Sequence, residues 1–364
     1  MAVRQRNLQD ILALHRQRYP LMEPADYGKL LYQNEFGPEH MVDSPQAVLE
    51  QIAGEWEKEA SSGTWEHVPL ENPEEIGNHL YRFHLTGGYD PAMAAPLLAR
   101  LFYLTAEQHH GSAESLEEKL AWLEQYGQNS GLCAPALKPW LKEYRRAGCP
   151  ALSHSAAFRQ AYAPHYRILR DEYAIYFPLL YEVEKRLLAS KPVLVAIDGP
   201  CGGGKSSLAA LLTELFPCRV LHMDDYYLPL EQRAPGWEET PCGNMDLERF
   251  LKEALLPATR GEPIACRPYN CRKGQLSEAE LLPAAPLTVV EGSYSQHPLL
   301  ALHYDFKVFL YCRPEEQLAR LERRESARLE AYRQRWIPLE KAYYQTFRIV
   351  SRCDLCFDNT PYFV

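Results

Sequence analysis

Residues Val193–Leu212 read VLVAIDGPCGGGKSSLAALL: an apolar run, a glycine-rich segment closed by a lysine, and a second apolar run. The first run has the β-branched content of a buried strand, and KSSLAALLTELF the spacing of a helix. Between them, Gly199 to Ser206 satisfies G-x-x-x-x-G-K-[ST] at each required position, in the strand–loop–helix setting that gives the motif its meaning. Gly199, Gly202, Gly203 and Gly204 let successive backbone N–H groups converge on phosphate oxygens, and the following helix adds its positive end. Lys205 is placed to reach the β- and γ-phosphates and Ser206 to offer a hydroxyl to Mg²⁺, with Ser207 next in the same turn. A nucleoside triphosphate is the implied ligand. The chain has no N-K-x-D element to read guanine, which turns the reading toward ATP.

Working outward, CRVLHM, LTVVEG and FKVFLYC read as further strands, and CDLCFDN as a short closing one. DLERFLKEALL and the long charged segment EEQLARLERRESARLEAYRQRW read as helices. Val- and Leu-rich strands alternating with helices predict an α/β P-loop domain over residues 191–364, its mostly parallel sheet covered by helices. Residues 1–190 differ. Their apolar positions recur at helical spacing, as in Leu8, Ile11, Leu12 and His15 or Leu116, Leu120, Leu123 and Tyr126, and the expectation is an all-helical domain.

Composition narrows the function classes. A net charge of −9, spread over both halves, argues against a surface that coats nucleic acid. No stretch approaches 18 uninterrupted apolar residues, and Asp10, His15 and Arg16 break the apolar positions near the N-terminus; neither a membrane span nor a signal peptide is expected. The ten cysteines form no regular framework, which points to a reducing cytoplasm. Cys353 and Cys356 make one CxxC with no second ligand pair, so a zinc site is not expected there.

The chemistry beyond the phosphate loop comes from two acidic strand ends. VLHMDDYYLP brings Asp224 and Asp225 to the carboxyl end of one strand, where ligands sit in open parallel sheets, and a carboxylate there can accept the proton of an attacking hydroxyl. TVVEG puts Glu291 at the tip of the next, suited to Mg²⁺ directly or through water. Capping or solvated turn roles are the alternative for each.

The loop, MDDYYLP, NMDLERF, RPYNCRKGQ, VVEGSYSQHP, RLERRESAR and CDLCFDNT follow one another in an order that resembles the uridine kinase and phosphoribulokinase family of P-loop kinases, over about residues 191–364. The resemblance implies phosphoryl transfer from Mg-ATP to a hydroxyl of a small, nucleoside-like acceptor. By the same resemblance Asp224 is the base, Asp225 lies beside the acceptor and Tyr227 packs on it. RPYNCRKGQ resembles the nucleoside-contacting segment, carrying over to Tyr269, with Asn270 where the family has an acid and no histidine following. Arg272 and Lys273 in that segment suit a more acidic acceptor, or else are solvated loop cations. RLERRESAR resembles the lid helix that closes over the phosphates; of Arg320, Arg323, Arg324 and Arg328, the pair Arg320 and Arg324 lie one turn apart and are assigned to catalysis.

In the first half, Glu35, Glu39, His40, Asn78, His79 and Arg82, together with the segment from His154 to Leu169, are candidates for a second site, or else caps and solvated faces. Two other readings stand beside the kinase. One is an ATP-binding regulator whose first half binds a protein partner; the other is a bifunctional enzyme. Homo-oligomerisation is compatible with each.

Overall fold

The structure, a computed structural model, describes all residues except 1–6, 39–43, 63–71, 86–87, 131–133, 190, 272 and 361–364. The chain divides into two compact units, Gln5–Tyr181 and Glu182–Val364, so the division falls somewhat ahead of Lys191.

The first unit is built mainly of helices, among them Leu8–Arg18, Pro24–Phe36, Pro91–Gln108 and Ala134–Arg146. Local chemistry starts several of them: Asn7 and Ser155 accept the backbone N–H of Asp10 and of Phe158, and proline stands in the first turn at Pro24 and Pro91. An all-helical domain is nevertheless incorrect. Three strands, β1 (Glu74–Gly77), β2 (Leu80–His84) and β3 (Tyr166–Arg170), form an antiparallel sheet in that order. Asn78 and His79 make the two-residue turn between β1 and β2, both at positive φ (54° and 58°), as tight hairpins of this kind require. Strand β2 is buried along its whole length, although it carries Arg82 and His84.

In the second unit the strands, in chain order, are β4 (Val193–Asp198), β5 (Cys218–His222), β6 (Ile264–Cys266), β7 (Tyr269–Asn270), β8 (Gln275–Leu276), β9 (Glu280–Leu282), β10 (Leu287–Glu291), β11 (Phe306–Tyr311) and β12 (Leu355–Asp358). Five of them make one parallel sheet in the order β12-β11-β4-β10-β5. Strand β4 is central and wholly buried, as its uninterrupted apolar run predicts. The expected strands all form, CDLCFDN included. Pairings β6–β9 and β7–β8 are small antiparallel additions.

The long charged helix does not run unbroken. It is regular over Pro314–Glu325, bends at Glu325 (φ −151°, ψ 60°), passes through short irregular turns and resumes as Ile337–Phe347. Apolar residues explain where the chain returns: Leu339 and Tyr343 are buried with Tyr294, Phe309 and Ile349 against the sheet.

Candidate active site

The phosphate loop leaves β4 at Asp198 and enters the helix Lys205–Leu215. Its glycines answer to two constraints. Gly202 and Gly204 have φ of 73° and 93°, which side chains disfavour, and a Cβ on Gly199 would lie 2.4 Å from the carbonyl oxygen of Leu310. Asp198 is fully buried, accepts from the backbone N–H of Gly199 and Gln296, and takes the Tyr343 hydroxyl at 2.7 Å. Burial raises its carboxyl to about 6 despite these donors. It braces the loop from within the protein.

Parallel pairing then sets the acidic edge. Glu291 lies beside Ile197 on one side and His222 on the other, so three strand ends finish together. Ser206 Oγ donates to Glu291 Oε2 at 3.3 Å, and His222 Nδ1 lies 2.6 Å from Glu291 Oε1. Burial alone would raise the Glu291 carboxyl; the His222 hydrogen bond, Lys205 and Ser206 hold it below its usual value. The His222 imidazole is raised in turn, chiefly by that bond. Serine hydroxyl and carboxylate oxygens at this spacing are a hard donor set that fits Mg²⁺. Lys205 Nζ donates to the carbonyls of Gly199 and Pro200 and reaches Ser293 Oγ at 3.3 Å.

Just past β5 the chain makes a single tight turn, Met223–Tyr226, which buries Met223 and Tyr226 and leaves Asp224 exposed. Tyr227 donates its hydroxyl to Asp224 Oδ1 at 2.8 Å. Asp225 is half-buried, its carboxyl raised by burial, and its carbonyl accepts from Arg249, whose guanidinium lies over the Tyr226 ring. Tyr269 is buried on β7. The side chain of Asn270 accepts the backbone N–H of Lys273, and its carbonyl those of Lys273 and Gly274: it caps the hairpin turn from β7 to β8. An asparagine here is thus accounted for by the turn. Arg272 lies outside the described residues, as do Glu39 and His40.

The four lid arginines separate. Arg320 is almost wholly buried and bonds Glu316 at 3.0 Å and the carbonyls of Asn359, Thr360 and Gly202 at 2.7, 3.1 and 3.4 Å. That departs from the expected phosphate-gripping arginine: its donors go to Glu316 and to carbonyls just past β12, and its longest contact is the one to the loop, at Gly202. Arg324 reaches Tyr332 Oη at 3.3 Å, while Arg323 and Arg328 are largely exposed and pair with Glu316 and Glu325. In the first unit, Glu35 is taken up by Lys119, Ser112 and Ser115, a structural role. Among the described residues no three or more of His, Cys, Asp and Glu are clustered as a set of metal ligands, and the CxxC of Cys353 and Cys356 lies at the edge strand β12.

Sequence reasoning missed His222, Ser293 and Glu340. His222 was visible as the residue two before Asp224. Glu340, 49 residues beyond Glu291 and past the end of the charged segment read as a helix, carried no local signal.

No protein-family model and no curated protein matches the chain. Among solved structures, it is similar to one described as a possible uridine kinase from Bacillus stearothermophilus, at 20% identity over 49% of this chain and 100% of the other, with a TM-score of 0.38. It is also similar to D-glycerate 3-kinase from Cryptococcus neoformans var. grubii, at 13% identity over 47% of this chain and 88% of the other, with a TM-score of 0.34. Each likeness spans about half of the chain and is one of fold.

Proposed function

We propose that residues 182–364 transfer the γ-phosphoryl group of ATP to a hydroxyl of a small molecule. The observation that carries this reading is that a phosphate loop, an oxygen pair from Ser206 and Glu291, and an exposed carboxylate on Asp224 share the carboxyl edge of one parallel sheet. Phosphoryl transfer asks a protein for in-line positioning and charge neutralisation, which these groups supply. The backbone from Gly202 to Ser206 cradles the phosphates, and Lys205 swings from the loop carbonyls onto the β- and γ-phosphates. Ser206 and Glu291 hold Mg²⁺, which neutralises charge on the phosphates. Asp224 takes the proton as the acceptor oxygen bonds to the γ-phosphorus and the bond to ADP breaks. Tyr227 orients Asp224 through its hydroxyl, and Tyr269 and Asp225 line the acceptor side. Arg324 closes over the transferring group, whereas Arg320 fixes Gly202 from behind.

The nucleoside-like acceptor rests on the resemblance in the sequence alone, and Asn270 in place of the acid, with no histidine following, weighs against uridine. Incubation with Mg-ATP and a panel of nucleosides, sugars and sugar acids is expected to give ADP in an acceptor-dependent way. If no acceptor exceeds water and Asp224→Asn changes nothing, the kinase reading is wrong; tight ATP binding without turnover would favour the regulator instead.

A further inference from the structure

Glu340 stands in the first turn of the helix Ile337–Phe347 and is 5% exposed. Both its carboxylate oxygens lie 3.1 Å from the backbone nitrogen of Cys201, the third residue of the phosphate-loop motif. Ser293, two residues past Glu291, donates its hydroxyl to Glu340 Oε1 at 2.5 Å, and the Lys205 ammonium reaches the same hydroxyl. Burial raises the Glu340 carboxyl, with Lys205, Ser293 and Cys201 acting against that rise. An amide and a hydroxyl donating to one carboxylate, with an ammonium on that same hydroxyl, are the kinds of group that hold the terminal phosphate of a nucleotide. Here a side chain of the protein uses them.

We propose that Glu340 competes with the γ-phosphoryl group for these donors and so sets the preference of the loop between triphosphate and diphosphate. The proposal rests on the reading that the loop binds ATP. Lys205 is the loop residue that contacts the γ-phosphate, so a third phosphate brings negative oxygens to the ammonium that now attracts Glu340. Two anions confined together repel, and the γ-phosphoryl group must displace the carboxylate. A diphosphate ends one group earlier and leaves Glu340 on Cys201 and Ser293. The displacement is not local to one side chain: the same helix carries Tyr343, whose hydroxyl binds Asp198 beneath the loop. After transfer the γ-phosphorus has left on the acceptor, and Glu340 regains its donors.

The experiment is calorimetric titration of the full chain with Mg²⁺ and either a non-hydrolysable ATP analogue with an imido β–γ bridge or ADP. Glu340→Gln removes the charge and keeps the shape. It is expected to tighten the triphosphate analogue about tenfold, the size of one charge-assisted hydrogen bond, and to change ADP by less than about twofold. Glu340→Asp keeps the charge on a shorter stem and is expected to act in the same direction. An equal change for both nucleotides, or weaker binding of the triphosphate, overturns the role of Glu340 while leaving the ATP site in place. If the unaltered protein binds neither nucleotide, the kinase reading and this one fall together.

Discussion

Tyr227 donates its hydroxyl to the carboxylate of Asp224 from three residues along the chain, across a turn whose other aromatic, Tyr226, is buried against Phe250. The bond is therefore held by the core: Tyr226 anchors the turn, the turn fixes the backbone of Asp224, and Tyr227 fixes its side chain. An exposed carboxylate is thereby given a single orientation at the sheet edge without being desolvated.

Removing the carboxylate's basicity tests its role. Asp224→Asn is expected to lower kcat by about 10²–10⁴-fold, the usual worth of a positioned base, with ATP affinity changed little. Tyr227→Phe keeps the base and frees its rotation, so a loss of about threefold to tenfold in kcat/KM is expected. Steady-state kinetics on the best acceptor separate the two; equal losses would mean that Tyr227 does more than orient.

Glu291 and Ser206 are assigned to Mg²⁺ on oxygen chemistry and spacing. Glu291→Gln is expected to raise the Mg²⁺ concentration for half-maximal activity on the order of tenfold or more, at saturating ATP. His222→Ala, which removes the partner that orients Glu291, is expected to shift it less. A Mg²⁺ titration in which neither variant moves the midpoint would place the metal elsewhere.

How far these features were legible depended on whether the signal was local. The strand, loop and helix from Val193 to Leu215 announce themselves because motif and periodicity coincide, and the parallel sheet follows from four further apolar runs. The hairpin of β1 and β2 was hidden by its own chemistry. Glu74, Arg82 and His84 point into the protein, so EEIGNHLYRFH shows no apolar alternation, and only Gly77-Asn78 hinted at a turn. Arg320 illustrates the same limit. Helical spacing places it one turn from Arg324, but its binding to carbonyls of Asn359 and Thr360 depends on a strand 40 residues away.

The first unit is expected to lose stability on mild acidification. Burial lowers His15 and His154 from 6.5 to about 4, with Glu74 and Asp26 respectively opposing that fall. Between these values the unfolded chain binds more protons than the folded one, so stability is complete above about pH 6.5 and falls as the pH drops toward 4. Each imidazole contributes on the order of 3 kcal/mol across the window. Hydrogen exchange of peptides covering β2 and β3, followed from pH 7 to pH 5, should show the protection declining. His154→Gln should flatten that decline; an unaltered slope would assign it to other groups.

Arg82 is the strongest test of the buried polar core. Its side chain is 1% exposed, bonds Gln33 Oε1 through Nε and one terminal nitrogen (3.1 and 2.7 Å), and lies 4.7 Å above the Tyr166 ring. Tyr166 meets His154, which holds Asp26 at 2.8 Å, and the other terminal nitrogen of Arg82 lies 3.5 Å from Glu74. Charge burial on this scale is stabilising only while every partner stays in place. Arg82→Ala takes one of two guanidinium partners from Glu74, leaving it Arg18 and the imidazoles of His15 and His84, and strips Gln33 of two donors; a loss of about 3–5 kcal/mol is expected in urea unfolding. Adding Glu74→Gln to Arg82→Ala should restore part of that loss, because the uncompensated charge is then gone. A double variant that is worse by the sum of its parts would mean that the two side chains act independently, and the network would reduce to separate contacts.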